Sequence, residues 1–223
     1  TSWEIAPDGL TYTFYLRKGV MFHHGREMEA KDVKFTIERI QNPKNTAGFR
    51  QLMEVVTEVK IVDKYTVQFR LNRPDGSLPS KLVNAMGIMP YDVTPPERRI
   101  TQNDTISGTG PFKFVEWRKD DYIKLSRFDT YWREGLPYVD TLMLKPVPDS
   151  TVRLASLRAG DLDVIEWVPL EEVQRLMKAQ SKDYTIAVGP YGAETGYICL
   201  NTLEPPFNDK RVRQAVAYAI DKD

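Results

Sequence analysis

The hydrophobic period of this chain switches repeatedly between two residues and about 3.6, and the switches fall at clusters of Gly, Pro, Asn or Asp. Such punctuation excludes a pure helical bundle and an all-strand sandwich, and it leaves an α/β class with mixed sheets. Residues 11–17 alternate, with Tyr12, Phe14 and Leu16 on one face, as a half-buried strand requires. Ala30, Val33, Ile37 and Ile40 then recur at three and four residues, predicting a helix that leaves at Asn42 before Pro43. Residues 55–62 and 65–71 read as a hairpin turning at Asp63-Lys64, and residues 80–86 as a short helix before Gly87. Residues 89–107 carry Pro90, Pro95, Pro96 and Asn103 without periodicity, the composition of an ordered linker, and a domain boundary is expected there.

A second hairpin is expected over 112–117 and 122–126, followed by a strand over 141–147. Ser150 is placed to cap a helix that ends at Gly160. Residues 162–167 read as a strand, Pro169 opens another helix, and residues 185–188 and 195–200 read as the last strands. Asn208 is expected to cap a final helix with Val212, Ala215, Val216 and Ala219 inward. That apolar face runs to the end of the sequence, so its packing partner is expected beyond residue 223, and the chain reads as an excerpt. At roughly 150 residues per domain, 223 residues also suggest about one and a half domains.

Composition narrows the partners. With 31 Lys+Arg against 31 Asp+Glu there is no cationic surplus for a phosphate backbone or an anionic leaflet, and nucleic acid is not expected as a partner. The single cysteine, Cys199, excludes an internal disulfide and any thiolate cluster, and leaves the compartment open. The chain opens on Thr1-Ser2-Trp3 rather than on a basic and then apolar leader, as an excerpt beginning inside a longer protein would.

The catalytic inventory is thin. His23 and His24 are adjacent, point to opposite sides of an extended chain and do not easily share one ion, so no metal site is expected. They read as polar residues flanking a turn. There is no Gly-x-Ser-x-Gly elbow and no histidine close in sequence to Cys199. Gly108-Thr109-Gly110-Pro111 precedes a strand instead of a helix and lacks the lysine of a phosphate loop, so it reads as a structural turn. Asp161, Asp163 and Glu166 read as a solvated face; a hydrolase built on Asp161 and Asp163 is the outside reading. Lys210, Arg211 and Arg213 read as the solvated face of the last helix. Tyr191 and Tyr197 flank a Gly-containing polar stretch that could equally line a cleft or pack in a core.

Three collinear blocks then carry a resemblance. The first is Trp3, Pro7-Asp8-Gly9-Leu10-Thr11-Tyr12-Thr13-Phe14, Leu16-Arg17-Lys18-Gly19-Val20, Phe22-His23, Gly25 and Ala30-Lys31-Asp32-Val33. The second is Gly108-Thr109-Gly110-Pro111-Phe112-Lys113-Phe114 with Tyr131-Trp132. The third is Asn201, Pro206-Phe207-Asn208-Asp209, Arg211-Val212-Arg213-Gln214-Ala215 and Ala219-Ile220-Asp221. Together they resemble the family 5 extracellular solute-binding proteins, the oligopeptide, dipeptide and nickel receptors of ABC importers. Departures from the family pattern are His24 where Asp is common, Met28-Glu29 in place of a Thr-containing helix cap, and Ser107 in place of Val.

The resemblance implies a mixed-sheet periplasmic binding protein fold of type II, in its large three-region subclass, present here as a partial chain lacking most of the second lobe. Residues 1–88 would form most of the accessory domain, 89–199 part of ligand-binding lobe one, and 200–223 the start of lobe two. It implies an extracytoplasmic receptor, in the periplasm or anchored at the cell surface. Such a receptor encloses a peptide or similar small solute between two lobes and delivers it to a membrane ABC permease. It implies no catalytic residue, no cofactor and no metal ligand in this chain. The positions matched to cleft-lining residues are Tyr191, Tyr197 and, after the Asn42-Pro43 turn, Phe49. A sensor or a peptide chaperone on the same scaffold is the alternative. An excerpt holding half a clamp is expected to bind weakly and to self-associate through its uncovered apolar surface.

Overall fold

The structure is a computed structural model that describes residues 2–45, 48–85, 87–101, 104–178, 183–187 and 198–220. The chain divides into two compact units, Thr1–Pro148 and Asp149–Asp223.

The first unit begins with strands β1 (Ser2–Ile5) and β2 (Thr11–Tyr15), followed by helix α1 (Ala30–Gln41), the single turn α2 (Arg50–Met53), strands β3 (Val56–Asp63) and β4 (Thr66–Leu71), and helix α3 (Leu78–Ala85). The four strands form one antiparallel sheet in the order β1-β2-β4-β3. Pairing of Tyr12 with Phe69, Phe14 with Val67 and Val59 with Phe69 puts every second side chain on one face. Helix α1 lays Ala30, Val33, Ile37 and Ile40 on that face, and Met53 and Leu78 complete the cluster. Each of the larger fully buried side chains contributes about 1.5–3 kcal/mol, which is why this face and no other decides the register. The opposite face carries Thr13, Tyr15, Gln68 and Arg70 and stays polar, with Gln68 donating to Thr13 at 3.2 Å and the Tyr15 hydroxyl to Glu4 at 3.1 Å.

Strand β1 is not legible as a strand in the sequence. Four residues carry too little pattern, and it exists because β2 offers an edge on which Trp3 pairs with Phe14 and Ile5 with Tyr12. The expected hairpin at Asp63-Lys64 is present, with irregular register between Val56 and Glu58 and between Ile61 and Asp63. Residues 87–111, with 102 and 103 undescribed, contain no regular element and are sewn to α1 by side chains. Arg39 donates to the carbonyls of Pro95 at 2.9 Å and Arg98 at 2.7 Å, Asn45 donates to Pro96 at 2.8 Å, and the Met89 N–H donates to Thr36 at 2.9 Å. This anchoring keeps the proline-rich stretch within the unit that ends at Pro148.

The unit closes with a second antiparallel sheet of β5 (Phe112–Arg118), β6 (Tyr122–Arg127) and β7 (Thr141–Leu144), in that order. Asp120 takes a positive φ of 61° in the expected turn, and the register shifts between Phe114 and Glu116. One face aligns Phe114, Leu125 and Leu142 and then Trp117, Ile123 and Leu144, none of them buried.

In the second unit, α4 (Ser150–Ala159) and α6 (Lys210–Ala219) are each capped one residue away from the expected position. Asp149 rather than Ser150 accepts the N–H groups of Thr151 and Val152, and Asp209 rather than Asn208 accepts that of Arg211. Both neighbours are good caps, and a carboxylate is favoured against the positive helix end. Helix α4 ends on Gly160 in the left-handed conformation, as expected, and α5 (Leu170–Lys178) follows Pro169. Residues 162–167 are not a strand. Trp167 has a φ of 56°, which breaks the extended run, and its carbonyl accepts a hydrogen bond from Arg153 at 3.0 Å. The described parts of the last two expected strands, 185–187 and 198–200, are also irregular. A strand needs a neighbour, and no described strand of this unit supplies one.

Candidate functional site

Two places in the first unit concentrate polar chemistry, and the first holds the expected ligand-contact residue Phe49. The Asn42-Pro43 turn is shaped by Asn42, whose side chain accepts the Lys44 N–H at 2.9 Å and whose carbonyl accepts that of Asn45 at 3.0 Å. Asn45 is buried and ties the turn to α1 through the Arg39 carbonyl at 3.0 Å. On the far side Gln41 donates to the carbonyls of Met53 at 2.9 Å and Val56 at 2.6 Å. The connection from α1 to β3 is therefore held at both ends while Phe49, which precedes α2, stays 48% exposed. An exposed aromatic on an anchored loop is a suitable contact for an apolar ligand surface. Tyr191 and Tyr197 lie outside the described residues.

The second place is a network that sequence reading missed. Asp32, in the first turn of α1, is 0% exposed and accepts from Arg26 Nη1 at 3.0 Å, Arg26 Nη2 at 2.5 Å, the Glu29 N–H at 2.9 Å and the Tyr91 N–H at 3.2 Å. With Glu29 at the N-cap and Asp32 at the third helical position, the helix entry is closed by a capping box. Arg26 also donates to Asp92 at 2.9 Å and stacks 4.5 Å from the centre of the Tyr91 ring. Hydrogen bonding to Asp32 above all, then to Asp92, raises the Arg26 guanidinium further above its ordinary value, and Arg26 holds Asp92 below the usual carboxylate range. His24 Nδ1 lies 2.7 Å from Ser107 Oγ and His24 Nε2 lies 3.3 Å from Asp92. Two departures from the family pattern, His24 and Ser107, are thus partners. Their separation of 83 residues hides the pair from any local reading of the sequence.

The polar network also joins the first two of the three sequence blocks. His23 bonds with its backbone and ring to Gly108 and Gly110, and Arg17 stacks over Trp132 at 4.7 Å. The Gly108–Pro111 turn is structural, as its sequence suggested, and leads into β5. Asp161, Asp163 and Glu166 lie exposed in irregular backbone. Among the described residues no group of three or more His, Cys, Asp or Glu is placed to hold a metal ion. No helix among them is long and apolar enough to cross a membrane.

Comparison with known proteins is consistent with this geometry. Residues 1–223 match the family described as bacterial extracellular solute-binding proteins, family 5, middle region. The chain belongs to this family. The family is one of extracytoplasmic solute-binding receptors. The glutathione-binding protein GsiB of Pectobacterium atrosepticum is 34% identical over 224 residues, matching 100% of this chain and 43% of that protein. The dipeptide-binding protein of Escherichia coli is 33% identical over 243 residues, matching 99% of this chain and 45% of that protein. The crystal structure of NikZ from Campylobacter jejuni in complex with Ni(L-His) superposes with a TM-score of 0.80 at 26% identity, over 99% of this chain and 44% of that one. The chain thus spans less than half the length of the relatives it matches, and its mixed α/β fold is that of a partial periplasmic binding protein.

Proposed function

We propose that the protein containing this chain captures a short peptide or peptide-like solute between two lobes and delivers it to a membrane ABC permease. The observation that carries this reading is the family match over residues 1–223 together with relatives named for glutathione and for dipeptides. Affinity in such a receptor comes from contacts on both sides of a closing cleft and from the population of the closed state. On this chain 1–88 would serve as the accessory domain, 89–199 as part of lobe one and 200–223 as the start of lobe two. Anchoring of 89–101 to α1 is compatible with that division, since a linker can be pinned to one region and belong by topology to the next.

Tyr191, Tyr197 and Phe49 would then wall the cleft, the tyrosine hydroxyls adding hydrogen bonds to the ligand main chain. Exposure of Phe49 on a loop held at both ends supports its part. Isothermal titration of the full-length protein with glutathione, mixed di- to hexapeptides, nickel–histidine and oligosaccharides tests the reading. Binding of a peptide class is expected; response only to nickel–histidine or a sugar, or to none, refutes it. Phe49→Ala should weaken peptide binding by about tenfold, or ~1.4 kcal/mol, with an unchanged circular dichroism spectrum.

A further inference from the structure

His23 is bound on three sides by one turn. Its backbone N–H donates to the Gly108 carbonyl at 2.9 Å. Its ring Nδ1 lies 3.2 Å from the Gly108 nitrogen, which carries a hydrogen and donates. Its ring Nε2 lies 3.0 Å from the Gly110 carbonyl oxygen, which can only accept. These partners leave one tautomer: a neutral imidazole with its proton on Nε2 and a lone pair on Nδ1. The ring edge packs against Phe128 at 4.9 Å, and the Phe128 N–H donates to Pro111 at 2.9 Å, so the same turn is closed from behind. One residue earlier the same loop meets Ser107, whose Oγ lies 2.7 Å from His24 Nδ1.

We propose that His23 is a proton-operated clasp, which in its neutral form locks the Gly108–Gly110 turn onto the loop after β2 and on protonation loosens it at the Gly108 N–H. Protonation places a hydrogen on Nδ1, facing the Gly108 N–H. One hydrogen bond becomes a contact between two donors, while the bond to Gly110 survives. The surroundings add to the bias. Lys113 of β5 lies 5.8 Å over the same Phe128 ring that His23 meets, and His24 is the next residue in the chain. Asp92 and Arg26 stand beyond His24 and engage each other, so that carboxylate is already matched to a guanidinium. Burial holds His23 below its ordinary value of 6.5; the Gly110 carbonyl opposes this, and Lys113 and His24 reinforce it. A folded value below the unfolded one makes the clasp fully effective above about pH 6.5 and progressively lost as pH falls below it.

The clasp is independent of the proposed ligand, and its test needs none. In the full-length protein, two-dimensional NMR of the histidine ring should show the Nε2-protonated tautomer with a titration midpoint below 6.5. The hydrogen-exchange protection factor of the Gly108 amide should fall between pH 7.5 and 4.5, in step with protonation of the ring. In His23→Gln the amide can still donate to Gly110 but does not titrate, and Gly108 protection, already lower, should be flat over that range. An Nδ1-protonated ring, a midpoint at or above 6.5, or constant wild-type protection overturns the proposal, as does an equal fall in H23Q. If H23Q does not fold, the tautomer and midpoint of the wild-type ring decide alone.

Discussion

Replacing Asp32 by alanine should be among the most damaging single changes in the first unit. The carboxylate is fully buried and accepts two bonds from Arg26 and two from backbone N–H groups, those of Glu29 at the helix entry and of Tyr91 across the fold. Removing one member of a buried ion pair costs about 3–5 kcal/mol, because the partner charge is left without its counter-charge. The lower end applies here, since Arg26 keeps Asp92 at 2.9 Å and the Glu27 carbonyl at 3.0 Å and is itself partly wet. Two orphaned N–H groups would each add about 1 kcal/mol, but these losses share one site and do not sum. The expected total is about 3–4 kcal/mol, read from urea unfolding of the full-length protein by circular dichroism and locally from exchange of the Tyr91 amide. Arg26→Met combined with Asp32→Ala should be less damaging than the sum of the two single changes by about 1.5 kcal/mol or more. A cost below about 1 kcal/mol for D32A, or strict additivity in the double variant, would refute the claim that this pair holds the helix entry.

Other positions give sharper tests of local physics. Glu27 is held at about 2, first by Lys64, then by the Gly19 N–H and the Tyr65 hydroxyl. Its contribution should be present above its ordinary value near 4.5 and lost as pH falls through the depressed one, so Glu27→Gln should flatten the acid limb of the urea midpoint between pH 5 and 2.5. Asp149→Ala should cost about 1 kcal/mol and speed exchange of the Thr151 and Val152 amides, which it accepts at 2.8 Å each. Gly9→Ala and Gly160→Ala both force a side chain into left-handed backbone, at φ of 67° and 81°, for about 1–2 kcal/mol. A Cβ at Gly9 also meets Pro74 at 3.3 Å while one at Gly160 meets nothing within 4 Å, so G9A should be the more destabilising in thermal unfolding; the reverse order would count against a steric part at Gly9.

The elements that could be read in advance are those whose signal is local. Helix α1 announces itself by Val33, Ile37 and Ile40 at helical spacing, the β3–β4 hairpin by Asp63-Lys64 between alternating runs, and the end of α4 by Gly160. Where two adjacent residues compete for one task, as Asp149 with Ser150 and Asp209 with Asn208, the pattern finds the place and misses the residue. Residues 2–5 and 162–167 fail in opposite directions for one reason: extended backbone becomes a strand only when another strand lies beside it. Of the candidate site, Phe49 was an expectation from the family resemblance, whereas His23 and His24 looked like polar residues beside a turn.

The amino-acid order alone therefore determined the alternation of strands and helices, the apolar stripe that α1 turns toward the sheet, and the family to which the three blocks point. Only the tertiary structure decided that Asp32 also accepts the Tyr91 N–H, that His24 and Ser107 are partners, and that the His23 ring meets Gly110. Those facts depend on residues 59 to 87 positions apart being brought within hydrogen-bonding distance. A periodicity extends over a few turns of chain, but a buried polar group is defined by whatever the fold delivers to it, and that delivery is set by the packing of the whole unit.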